Sequence, residues 1–153
     1  MLEALRLVSA DFEFVFVGDG SLSSILELRA REDSRIKNLG WLQAPEVLRE
    51  ISNAHCLLLP SFHEGLPNVI AEAMSLGRAV IANDVGEISS VLPCDQLIAS
   101  NNPHAIAVAM LELLESKDLV FDKMCRNYQL SSSHFGIQAF DATFFEFFYD
   151  DIS

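Results

Sequence analysis

The sequence predicts an α/β domain: a Rossmann-like, doubly wound parallel sheet with helices on both faces. Two observations carry this expectation. Short apolar, β-rich runs alternate with helical patterns, and the connections between them are short, which is the signature of right-handed βαβ units. A chain of 153 residues, half of them apolar, is also long enough to bury one core, so residues 1–153 read as a single domain. In chain order, residues 1–7 read as a helix. Residues 12–17, 36–39, 56–59, 79–82 and 97–98 read as strands, and residues 22–29, 45–51, 68–76 and 87–92 as the helices between them. Asn102-Pro103 opens a further helix by cap-plus-proline logic, with Ile106, Met110, Leu113 and Leu114 on one face. Ligands of such folds bind at the carboxyl ends of the strands.

Composition narrows the function classes. The formal net charge of -12 argues against nucleic acid or an anionic membrane surface as partner, because both would be repelled. An anionic nucleotide stays possible, since helix N-termini act locally. Cys56, Cys94 and Cys125 are odd in number and widely spaced, which suggests neither a disulfide framework nor a zinc site; inert thiols in a reducing cytoplasm account for them. The sequence shows no signal peptide and no apolar run near the roughly 20 residues needed to span a bilayer.

The most informative segment runs from Ser61 to Met74, Ser-Phe-His-Glu-Gly-Leu-Pro-Asn-Val-Ile-Ala-Glu-Ala-Met. Two carboxylates, Glu64 and Glu72, flank a loop that becomes a helix. The apolar run before it ends at Pro60, as a buried strand does at its carboxyl edge. Pro67 suits the first helical position, since its φ is already set and its missing N–H would be an orphan there. The backbone N–H groups of Asn68 and Val69 then stand at the positive end of the helix dipole, where a phosphate is favoured. Glu72 lies five residues beyond Pro67, roughly 7 Å along the axis at about 1.5 Å per residue. His63, next to Glu64, has no second histidine at helical spacing and reads as a surface loop residue. Gly18-Asp19-Gly20 lacks the third glycine of a dinucleotide fingerprint. A tight strand-to-helix turn with Asp19 or Ser21 capping the helix explains it, although backbone can approach a ligand closely at Gly18.

The Glu64–Glu72 segment resembles the Glu-x7-Glu signature of retaining glycosyltransferases of the GT-B fold, family four, the group 1 glycosyl transferases. The likeness includes Pro60-Ser61, Glu64-Gly65, Glu72-Ala73-Met74 and the following Gly77, Val80 and Asp84. It extends upstream through residues 14–20 and Asn38-Leu39-Gly40, and so covers most of the chain. It implies the nucleotide-sugar-binding, C-terminal domain of such an enzyme. Glu72 would hold the ribose hydroxyls, and Glu64 would lie beside the donor sugar as the residue at the catalytic centre. Backbone amides of Gly65, Leu66, Asn68 and Val69 would contact sugar hydroxyls and diphosphate, and the loop near Leu42 would pack on the base. The donor is a substrate, so no cofactor is implied, and no metal is expected. Polysaccharide biosynthesis in the cytoplasm, with the longer protein peripheral at the inner face of a membrane, follows from the same resemblance.

Departures from the family's pattern set further expectations. Family members open this domain with a strand and a loop carrying an arginine and a lysine that neutralise the diphosphate. This sequence opens on the helix that follows them, so the sheet is expected to lack its first, central strand, which would leave a gap or force the neighbouring strands together, and the chain alone is expected to be nearly inactive. The N-terminal domain that supplies the acceptor site in the family is a further expected partner. Glu87 stands where a second glycine is usual, and it either crowds the loop or points to solvent. Phe140, Phe144 and Phe148 share one face of a C-terminal helical pattern, with Phe145 and Tyr149 beside them, a surface for the domain's own core, for the partner domain or for a homodimer. Two readings from other classes are a noncatalytic nucleotide-sugar-binding or interaction module and a sugar-nucleotide epimerase of similar fold, the latter disfavoured by the Glu-x7-Glu register.

Overall fold

The structure, a computed structural model, describes residues 1–98 and 100–135. Its elements follow the order α1 (Leu2–Leu7), β1 (Phe14–Phe16), α2 (Ser23–Glu32), β2 (Ile36–Asn38), α3 (Ala44–Asn53), β3 (Cys56–Leu59), α4 (Asn68–Ser75), β4 (Ala79–Asn83), β5 (Leu97–Ile98), α5 (Pro103–Glu115) and α6 (Lys117–His134). All pairings among the described residues are parallel. β1 pairs with β2 from Phe14 opposite Ile36. β4 lies between β3 and β5, with Cys56 opposite Ala79 and Ala82 opposite Leu97.

The sheet comes in two pieces, β1–β2 and β3–β4–β5, and no strand joins them among the described residues. This is the gap expected of a doubly wound sheet without its central strand; the neighbouring strands have not closed together. Arg35 helps to hold the region: its guanidinium donates to the carbonyl of Val8 at 2.8 Å, pairs with Asp33 and lies over the Phe12 ring. The Asp33 carboxyl is consequently lowered to about 2, chiefly by the Arg35 side-chain hydrogen bond.

The larger sheet is covered on both faces, and the period-two alternation of its strands decides which residue meets which layer. Val80 and Ala82 of β4, with Leu57 and Leu59 of β3, join Ile51 of α3, Ile70, Ala73 and Met74 of α4, and Leu130 of α6 in one core. Ile81, Cys56 and Leu58 face the other way, against Ala4 and Val8 around α1 and Ile106 and Ala107 of α5. Burial pushes the Cys56 thiol up to about 12, so it is the inert sulfur that its sequence context suggested.

Local signals explain the boundaries. Asn102 caps α5, its Oδ1 accepting from the Ala105 N–H at 2.9 Å with Pro103 next in line, and Ser116 caps α6 through the Leu119 N–H. The Gln43 N–H donates to the Glu46 carboxylate at 2.8 Å and opens α3. The helix expected over residues 87–92 is only a short 3-10 turn, Ile88–Ser90. Pro93 follows closely and cannot continue a helix. The expected rings Phe140, Phe144, Phe145, Phe148 and Tyr149 lie outside the described residues.

Candidate functional site

The site is built where β3 ends. Pro60 stops the strand, and the chain crosses the loop 60–67 into α4. Pro67 has φ −67° and ψ 129°, so it is the extended cap residue rather than the first helical one, and α4 begins at Asn68, where the expected helix starts. A proline at the cap position offers no side-chain acceptor. The first-turn N–H groups of Asn68 and Val69 therefore stay unspent, as helix N-terminal amides do without a cap, while the Ile70 N–H turns back to the Pro67 carbonyl at 3.1 Å. Ile70, Ala73 and Met74 are fully buried and fix the rotation of α4.

That rotation leaves Glu72 half-buried on the flank of the helix. Burial raises its pKa above the ordinary carboxylate range. No hydrogen bond or ion pair to its carboxylate is found among the described residues. A half-buried acceptor without a partner is set to take hydroxyl donors from a ligand. Between Arg49 and Arg78 the sequence has no lysine or arginine, so along this segment backbone N–H groups supply the positive potential. His63 is exposed, as expected of a loop-surface residue.

The preceding loop is held from the side of the sheet. The Asn83 side-chain amide at the end of β4 donates to the Ser61 carbonyl at 2.9 Å, and Asn101, beyond β5, donates to the Pro60 carbonyl at 2.8 Å. The Glu87 N–H donates to the Gly65 carbonyl at 3.1 Å. The Glu87 side chain is exposed, which resolves the two alternatives open at that position in favour of solvent.

The structure thus brings Glu64, Gly65, Leu66, Asn68, Val69 and Glu72 together on one loop-helix unit at the carboxyl end of β3. Gly18 and Leu42 sit at the carboxyl ends of β1 and β2, on the smaller sheet. Gly18 has φ 124° and donates its N–H to the Gly40 carbonyl at 2.7 Å, stitching those two loops together. A shallow groove of about 310 Å³ runs over this turn from Phe16 to Ser23. The expected helix cap there is different. Asp19 accepts from the Ser23 hydroxyl and the Gly20 N–H, bonds that lower its pKa in that order, and the cap position of α2 is Leu22, with no side-chain bond. Asp19 is spent inside the turn, so α2 starts uncapped.

Sequence reasoning missed two rings. Trp41, beside Leu42, is 71% exposed, and Phe62, two residues before Glu64, is 72% exposed. Large apolar side chains in loops at strand carboxyl ends were the available signal.

A carboxylate without a described partner, on a helix with free N-terminal amides at the strand ends of a parallel α/β sheet, offers acceptors for hydroxyls beside donors for an anion. Comparison with known proteins gives the family and the fold. Residues 1–116 match the family model described as glycosyl transferases group 1, and the chain belongs to that family. It is 30% identical over 126 residues to the UDP-Gal:alpha-D-GlcNAc-diphosphoundecaprenol alpha-1,3-galactosyltransferase of Escherichia coli, covering 76% of this chain and 32% of that protein. It is 33% identical over 89 residues to the lipopolysaccharide 1,6-galactosyltransferase of Salmonella typhimurium, covering 55% of this chain and 25% of the relative. Among solved structures, Anabaena HepE in complex with UDP superposes with a TM-score of 0.77 at 17% identity, over 97% of this chain and 44% of that one, a likeness of fold. The chain therefore spans between 18% and 32% of the length of the curated relatives it matches.

Proposed function

We propose that this chain is the donor-binding half of a retaining glycosyltransferase that takes a nucleotide-diphosphate sugar and builds a surface polysaccharide or glycolipid. The observation that carries the reading is Glu72: a half-buried carboxylate without a described partner, on a helix whose first amides are free. In this reading Glu72 accepts the two ribose hydroxyls, and the amides of Asn68 and Val69 meet the diphosphate. Glu64, with the N–H groups of Gly65 and Leu66, orients the sugar, while Gly18 and Leu42 border the diphosphate and base from the smaller sheet. Family membership and the fold shared with a UDP complex support a nucleotide-sugar donor.

The chemistry assigned to these residues is positioning and charge stabilisation. The diphosphate leaves with developing negative charge, and preorganised N–H groups at a helix N-terminus stabilise it without reorganising. Neither glutamate is assigned as a general base. No metal or other cofactor takes part in the proposal. The acceptor is held by a second, N-terminal domain, and the assembled enzyme works on the cytoplasmic side of a membrane. The split sheet favours a second reading, a noncatalytic nucleotide-sugar-binding module, because its open edges leave the site unsupported on the side of Gly18.

Calorimetric titration with UDP, GDP and ADP tests the proposal. One nucleotide is expected to bind selectively, and Glu72→Ala should weaken it about 10- to 100-fold, the loss of hydrogen bonds to a charged acceptor. Equal affinity of wild type and Glu72→Ala would sink the assignment of the ribose site. Selective binding without sugar transfer by the full protein would favour the module.

A further inference from the structure

We propose that the loops after β4 and β5 form a clamp on the carbonyl side of the Glu64 loop, with Gly86 as its main positioning residue, so that consecutive N–H groups are presented on the opposite side. The proposal rests on the donor-site reading for its ligand, but not for its geometry.

Gly86 has φ +58°, and a Cβ built on it would stand 2.1 Å from the Glu64 carbonyl oxygen and 2.7 Å from that of Gly65. Both distances fall below any tolerable contact, and the atoms met are backbone, which has no rotamer by which to withdraw. Only glycine lets the 84–87 loop seat here. Once it is seated, the Glu87 N–H reaches the Gly65 carbonyl at 3.1 Å. Asn83 and Asn101 take the carbonyls of Ser61 and Pro60 from the same flank. Asn83 is 3% exposed, and its Oδ1 has no partner, so the bond to Ser61 is what fixes this amide among the described residues.

The consequence follows from peptide geometry. The peptide unit is planar and the described bonds are all trans, so a C=O facing one side sets the next N–H facing the other. The Glu64 and Gly65 carbonyls both face Gly86; the N–H groups of Gly65 and Leu66 therefore face away from it as an adjacent pair. Neither finds an acceptor among the described residues, and the side of Gly65 that would bear a Cβ is open. Two parallel N–H donors beside a helix N-terminus suit phosphate or sugar oxygens. Gly86 touches no ligand in this arrangement and acts only through the loop it seats.

Gly77 supplies the control. Its φ of +60° matches that of Gly86, yet an added Cβ meets only ordinary contacts, the nearest at 3.7 Å from Tyr128, and none with the Glu64 loop. Gly77→Ala thus introduces similar backbone strain without touching the clamp. The protein carrying this chain, labelled with ¹⁵N at glycine and leucine, should show the Gly65 and Leu66 amide resonances moved in Gly86→Ala and unmoved in Gly77→Ala. UDP affinity should fall roughly tenfold or more in Gly86→Ala, about one charge-assisted hydrogen bond, and stay at the wild-type value in Gly77→Ala. Asn101→Ala, which removes a bond and adds no clash, is the second variant should Gly86→Ala not fold. With serine also labelled, it should move the Ser61 amide and weaken UDP a few-fold. Resonances that stay in place in the clamp variants overturn the clamp. Resonances that move while UDP binds as in wild type overturn its positioning role. A wild-type protein that ignores UDP overturns the assignment of this nucleotide to the amide pair, while moved Gly65 and Leu66 resonances would still establish the seat.

Discussion

The two halves of the molecule are folded to different depths. Around β3–β4–β5 every helix has a buried side: Ile70, Ala73 and Met74 of α4 and Ile88 after β4 are fully covered, and both faces of β4 are sealed. Around β1–β2 the helix α2 has no buried residue at all; Leu22 before it is 61% exposed, and Ile25 and Leu28 within it are 48% and 54% exposed. The difference follows the sheet. A βαβ unit buries its helix only when the sheet beneath continues far enough to be packed upon, and β1–β2 is a two-strand fragment, too narrow for independent stability. The Glu64–Glu72 unit stands on the deep half, whereas Gly18 and Leu42 stand on the shallow one. In the proposed reading, the site is thus anchored at the Glu64–Glu72 end assigned to phosphate and ribose, and loosely held at the Gly18–Leu42 end assigned to the base.

The largest effect that tests the contrast is a core deletion on the deep side. Met74→Ala removes a fully buried side chain directly beneath the Glu72 turn and should cost about 2–5 kcal/mol. At roughly 2–4 °C per kcal/mol for a domain of this size, the thermal midpoint falls by about 4–20 °C. A midpoint within 2 °C of wild type by calorimetry would mean that the deep half is not what holds the fold.

A second handle is the polar joint that fastens α6 to the same half. Lys123 is 3% exposed and donates to the Asp95 backbone carbonyl at 2.7 Å as well as to its carboxylate, which Arg126 also meets; Gln96 and Asn127 continue the joint to the Val80 N–H and the Arg78 carbonyl. Burial acts to raise the Asp95 pKa, but the hydrogen bonds from Lys123 and Arg126 outweigh it, and the net shift is downward. A depressed carboxylate contributes stability that is present above its unfolded pKa, about 3.9, and lost as pH falls through the lower folded value. Asp95 is 43% exposed, so solvent screens these pairs; Asp95→Asn should therefore destabilise by no more than about 1 kcal/mol at pH 7, and the gap to wild type should narrow below about pH 4. Urea titrations at pH 7 and pH 3.5 read it directly; a gap that widens in acid would contradict the sign.

How much of this was legible in the sequence differs by element. β3 and β5 fall on their expected residues because apolar runs bounded by proline, glycine and polar residues are local signals, and α5 begins where Asn102-Pro103 announces it. The strands at 12–17 and 36–39 are shorter than the apolar pattern, since ladder bonds need a partner and, among the described residues, β1 and β2 have only each other. The Glu64–Glu72 spacing on a strand-loop-helix was readable because the helix period and the proline fix it within a dozen residues. The clamp was not readable. Gly86 and Glu64 lie far apart in sequence, and what makes glycine obligatory there is an approach of two backbones that tertiary structure alone creates. Asp19 misled for a related reason: an acidic residue before a helix predicts a cap, but the nearer Ser23 hydroxyl and Gly20 N–H took the carboxylate first.

The smallest expected effect carries the finest test of the contrast. Leu28→Gln on α2 exchanges two residues of similar helix propensity at a position 54% exposed, so the structure expects a change within about 0.5 kcal/mol. The partner substitution Ile25→Gln should behave alike, with a slightly larger loss because Ile25 is 48% exposed. The same pair measured in the full protein asks a different question, since a face left open here can be covered there. A loss above about 1 kcal/mol in the full protein, with little change in residues 1–153 alone, would mean that α2 packs on chain outside this sequence. Small changes in both would mean that α2 is a surface helix whose apolar residues serve no packing. In the first case the base end of the proposed site gains its rigidity only on assembly; in the second, the proposed grip on a nucleotide rests on the Glu64–Glu72 unit and the clamp behind it.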